Sequence, residues 1–227
     1  MADLPPPLPP AERTVGQLVA ESIRAYGANF WGALPLGLPL AVSTELISGH
    51  SINTQVVVLW LLAPFFSAAY VRACVIVGIG NPPRGQLVFA WAIGTAVWLP
   101  APVLLRLFVL PSVAWLALFG LAVPAAVAGT TGVRRVIKRA RELARADYVH
   151  ALGSLCTLVI VVALSGGVLA ALLHGQGQTA QRVSVFLSLI VLSPLLYLGA
   201  ALLYVDQSAR VGLPRGRRRG ANPPVAP

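Results

Sequence analysis

Six long apolar runs, broken by short polar segments, set the pattern of the chain. They fall at about 28–47, 55–79, 87–109, 111–129, 149–173 and 183–205. Each is close to the roughly 20 residues that a helix needs to cross a hydrocarbon core at about 1.5 Å per residue. Backbone polar groups in lipid must be satisfied within each segment, and the period-two alternation of barrel strands is absent, so the runs predict helices. The expected fold is all-α: a polytopic membrane protein over residues 14–208, with six transmembrane helices paired as three hairpins. A Pro-rich arm over 1–13 and a basic tail over 209–227 flank it, both expected to be disordered. The arm has acids and prolines where a signal peptide would have a basic region and an apolar one.

The third and fourth runs lack a polar loop between them. WLPAPVLLRLFVLPSVAWL has prolines at 100, 102 and 111, and Pro111-Ser112 is the expected position of a tight turn, with a kinked or re-entrant third helix as the alternative. Three stretches share a plan, beginning at Thr14, Pro82 and Thr131. Each opens with a Gly or Pro signal and a helical lead-in, and Gly16-Gln17-Leu18 matches Gly85-Gln86-Leu87. The first and third lead-ins are charged and are expected as amphipathic helices on the cytoplasmic surface.

Composition supports the membrane class: 57% of residues are hydrophobic and only 11% charged, against roughly a quarter charged in soluble domains. The net charge of +10 resides in blocks. Lys and Arg bias toward the cytoplasmic side sets orientation. Threading six spans puts 15 of the 17 cations on one side and leaves Arg106 and Arg182 on the other. This predicts a membrane protein with both termini in the cytoplasm. Arg72 falls just inside the cytoplasmic end of the second span, where its side chain can snorkel to the headgroups.

The densest block is GVRRVIKRARELARADYVHALG, residues 132–153. At 100° per residue, Val133, Val136, Ile137, Ala140, Leu143, Ala144 and Tyr148 share one arc, while Arg134, Arg135, Lys138, Arg139, Arg141 and Arg145 hold the other. The expected destination of the apolar arc is the bilayer interface. The cations would then contact anionic lipids of the inner leaflet, at about 1 kcal/mol each near the surface. Glu142 pairs internally with part of that charge. Nucleic acid is excluded as the partner, since the tethered helix lies at the bilayer with its single ring on the apolar side. Asp147 sits on the apolar arc. It is read either as the N-cap of the fifth span or as a partner of Arg72, Arg84 or a ligand headgroup.

Glu45 and Arg106 lie near the outer ends of the first and third spans and form a candidate ion pair, either structural or on a substrate path. His50, His150 and His174 are scattered, and Cys74 and Cys156 form no CxxC pair, so no metal site, cofactor or catalytic constellation is expected. The glycines of LSGGVLAALL and YLGAALLY suit close helix packing inside the bundle or contacts between copies of the chain.

ESIRAYGANFWGALPLGL, YVRACVIVGIGNPP, VPAAVAGTTGVRRVIKRARELARADYVHALG and LGAALLYVDQSARVG together resemble a bacterial six-helix family. It is the group related to the membrane domain fused to some glycerophosphodiester phosphodiesterases. The closest points are Leu203-Tyr204-Val205-Asp206 with Arg210 one turn later, and Phe30-Trp31. Ala128-Gly129-Thr130-Thr131 and Val136-Ile137 depart from the family's pattern. The resemblance implies a helical membrane module without the phosphodiesterase barrel and carries over no catalytic residue. The expected function is a non-enzymatic bundle that organises lipid or a membrane-protein partner. The alternatives are a permease for a small amphiphile or lipid, and a headgroup enzyme built on Asp147.

Overall fold

The computed structural model of the chain describes residues 9–80, 82–172 and 177–212. Within them the secondary structure is helical, with six stretches long and apolar enough to cross a membrane: Phe30–Ile47, Ile52–Val77, Arg84–Leu107, Val109–Val127, Tyr148–Leu172 and Gln178–Gly212. Each overlaps one of the six apolar runs.

Helix α1 (Val15–Ala28) starts at a capping box, in which Thr14 and Gln17 exchange side-chain and backbone hydrogen bonds. Its buried positions Leu18, Ser22 and Tyr26 repeat every four residues, and the helix packs on α12 (Pro194–Gly212) and α10 (Tyr148–Leu172). The first span is broken by its prolines into α2 (Phe30–Ala33), a 3-10 turn over Leu34–Gly37, and α3 (Leu38–Ile47). A Cβ at Gly37 would collide with the backbone of Ile190 in α11 (Gln178–Leu192). Glycine at that position therefore lets the first and last spans approach backbone to backbone.

Helix α4 (Ile52–Val77) runs unbroken through Pro64 and ends at Gly78, whose φ of 82° is left-handed. It packs on α5 (Arg84–Trp98), where Ser67 Oγ donates to the Trp91 carbonyl (2.7 Å) across a contact kept open by Gly94. The chain continues through α6 (Pro100–Leu107), α7 (Val109–Phe119) and α8 (Ala122–Val127). The reversal between the third and fourth spans is a hairpin at Phe108, which is fully extended (φ −172°, ψ 162°), and not at Pro111-Ser112. Pro111 instead occupies the first turn of α7, where a missing N–H costs nothing because that donor has no intrahelical acceptor.

The last span is 35 residues, about 52 Å at 1.5 Å per residue, against a hydrocarbon core of about 30 Å. Its ends therefore reach the headgroup region or beyond. Residues 209–212 of the expected tail belong to α12, which continues to Gly212. Pro10–Glu12 form a helical turn packed on α12, so the end of the Pro-rich arm is ordered. Residues 1–8 and 213–227, and with them most of the arm and tail, lie outside the described residues, as does His174.

Candidate functional site

The described ends of the chain meet at the last turns of α12. Arg13 Nη1 donates to Asp206 Oδ1 (3.0 Å), joining residues 193 positions apart. Arg210 Nη2 donates to the Arg13 carbonyl (2.9 Å), and Arg210 Nη1 forms an ion pair with Asp147 Oδ2. Gln207 Nε2 donates to the Asp147 carbonyl (3.1 Å). Asp147 Oδ1 accepts from the backbone N–H of His150 (3.0 Å), the third residue of α10. Asp147 thus caps α10 with one carboxylate oxygen and holds α12 with the other.

The cluster is balanced, two arginines against two aspartates, and all but Asp147, which is 36% exposed, are mostly buried. Asp206 and Gln207 are fully buried, and the Arg13 and Arg210 side chains are 14% and 17% exposed. Asp206 Oδ2, Gln207 Oε1, Ser154 Oγ and His150 Nε2 are buried without a protein partner among the described residues. Chemically the arrangement is a clasp. It holds the chain start, the entry to α10 and the end of α12 at one end of the bundle by charge-assisted bonds. Among the described residues no group of His, Cys, Asp and Glu is placed to hold a metal.

Sequence reasoning found Asp147 but not its partner. Arg72 and Arg84 are exposed and make no ion pair with Asp147; Arg210 takes that place. Glu45 is half-buried in α3 and Arg106 is exposed in the last turn of α6, and no salt bridge joins them among the described residues. Arg13 carried no signal, since it sits in a Pro-rich stretch. Asp206 and Arg210 did carry one, as the acid and base one turn apart that close the last span.

The basic helix α9 (Val133–Ala146) corrects a second expectation. Val136, Ala140, Leu143 and Ala144, the centre of the apolar arc, are each 0% exposed because they pack against α7, α8 and α12 and not into the lipid interface, while Val133 at its start is 52% exposed. Neighbouring protein competes better for that arc because it is covalently held beside it. The cations stay outward. Arg134, Lys138, Arg141 and Arg145, spaced four, three and four residues apart, form one stripe. Part of the charge is engaged: Glu142 pairs with Lys138 (4.0 Å) and Arg139 (3.7 Å), and Arg135 bonds Thr131. The Arg141 guanidinium lies 5.4 Å from the centre of the Phe119 ring. Arg134 and Arg145 have no ion-pair partner among the described residues.

Elsewhere the outer surface is largely apolar, with Val149, Leu107 and Leu172 each more than 70% exposed on their helices. Six long apolar helices with outward-facing aliphatic side chains define the class, a multi-pass, all-helical membrane protein. Comparisons with family models, curated proteins and solved structures found no match for this chain.

Proposed function

We propose that the protein is a non-enzymatic, lipid-interacting bundle of the bacterial cytoplasmic membrane, with both chain ends and α9 at the cytoplasmic face. The observation that carries this reading is the docked basic helix. The centre of its apolar arc is buried in the bundle, so the stripe Arg134, Lys138, Arg141 and Arg145 is held at a fixed height beside the entry to α10. Cations fixed at that level attract anionic headgroups, and Arg binds phosphate oxygens through its planar fork. The charge bias of 15 cations to 2 supports the orientation. The Arg13–Arg210 contact supports it further, because six spans return the chain to the side on which it started.

Asp147 has both carboxylate oxygens engaged, which supports a bracing role over that of a catalytic base. The resemblance to the phosphodiesterase-associated membrane domain points the same way. The residues that carry it, Asp206 and Arg210, belong to the clasp. Organising anionic lipid, or a membrane-protein partner through it, is the role these features support.

The test is native mass spectrometry of the full chain released from mixed phosphatidylglycerol and phosphatidylcholine. Preferential retention of phosphatidylglycerol is expected, reduced about tenfold when Arg134, Lys138, Arg141 and Arg145 are all replaced by Gln. Equal retention of both lipids, or no change in that variant, would sink the headgroup part of the proposal.

A further inference from the structure

A cavity of about 220 Å³ lies inside the bundle, lined by α3, α4, α6, α7, α10 and α12 among others. No charged side chain lines it, and its wall is almost wholly aliphatic and aromatic. This cavity is therefore not the polar midplane pocket expected of a carrier for a polar solute. The volume decides what fits. A dry cavity of about 150 Å³ with Leu, Ile and Phe walls already takes up benzene, whereas pockets for whole drug-sized ligands run to about 300 Å³ and above. The space matches one hydrocarbon chain segment and is too small for a diacyl lipid.

One further feature suits a chain entering from the bilayer. Leu105 of α6 lines the cavity and is 45% exposed, so the wall there is also the outer surface. Helix α7 packs on both α6 and α10, so the part of the wall that is also outer surface is that of α6 at Leu105. The inner end has a polar marker. Leu196, Ala200 and Leu203 form a cavity-facing stripe along α12, and the next position on that stripe is Gln207, about 6 Å further along the axis. Gln207 is fully buried, and its Oε1 is unpartnered among the described residues.

We propose that this cavity binds the tail of a single-chain amphiphile, such as a fatty acid or fatty alcohol, admitted past Leu105 of α6. Gln207 lies one turn beyond the inner end of the stripe and is fully buried, so the polar head lies at the outer end, beside exposed Leu105. The site depends on the bundle spanning a bilayer and is separate from the α9 cations.

The test uses the full chain reconstituted in phosphatidylcholine nanodiscs, which supply no free single-chain amphiphile, with ω-bromoundecanoate or ω-bromoundecanol, whose isotope pattern identifies the adduct by native mass spectrometry. A saturable one-to-one adduct is expected with both probes. Ala200→Leu, which fills the cavity, is expected to weaken it about tenfold or more. Leu105→Trp narrows the outer wall at an exposed position that folding tolerates, and is expected to weaken it as well. The adduct is retained when the four α9 cations are replaced by Gln, which keeps failure of the headgroup reading distinct from failure of this one. No saturable adduct, or an adduct unchanged in both A200L and L105W, would overturn the proposal.

Discussion

Arg13 and Arg210 differ from the six cations of α9 in what they face. The first two are mostly buried and each meets an aspartate carried by a distant element; Lys138 of α9 is 80% exposed and shares one glutamate with its neighbour. A buried charge whose partner is removed has no water to replace it, whereas an exposed one is solvated at once and screened by salt. Charge density along the sequence therefore points to the exposed surface, and the residues that hold the bundle end together are the isolated ones.

That contrast can be broken in four ways, in falling order of effect. Asp206→Ala leaves the Arg13 guanidinium buried without its acid and should cost about 3 kcal/mol in denaturant unfolding of the reconstituted protein; a change near zero would mean the clasp carries no stability. Asp147→Ala removes the α10 cap and a half-exposed ion pair, and the expected loss is about 1–2 kcal/mol in the same assay. Neutralising Arg134, Lys138, Arg141 and Arg145 should leave unfolding within about 0.5 kcal/mol of wild type while reducing phosphatidylglycerol retention; a large loss of stability would place those cations in the clasp's class. Glu142→Gln frees Lys138 and Arg139 and should raise retention of anionic lipid by a few tenths of a kcal/mol, read as a modest shift in the lipid titration midpoint.

The spans were legible because the bilayer imposes one length on every crossing, and apolar runs of that length mark themselves. Their junction was misplaced where local rules compete. Pro111 reads as a turn residue, yet it serves equally well in the first turn of a helix, and the break falls on Phe108, whose residue type carries no turn signal. The amphipathic arc of α9 was legible from its period, but periodicity says that a face is buried and not against what. Asp147 stood out as an acid among apolar neighbours, and its capping role follows from its place before Tyr148. Its ion-pair partner lies 63 residues away and Arg13 is 193 from Asp206. Such pairings depend on how the spans assemble. The identical Gly-Gln-Leu triplets make the same point: Gln17 closes a capping box, whereas Gln86 donates across the bundle to the Ala126 carbonyl (2.7 Å).

The central claim is that α9 is a wall of the bundle that presents its cations outward, and not a peripheral anchor that lipid holds in place. Hydrogen–deuterium exchange of the amides over 133–146, compared in nanodiscs of phosphatidylcholine alone and of phosphatidylcholine with phosphatidylglycerol, tests it directly. Because Val136, Ala140, Leu143 and Ala144 are buried by protein, equally slow exchange is expected in both lipids. Fast exchange in phosphatidylcholine that slows only when phosphatidylglycerol is present would contradict it.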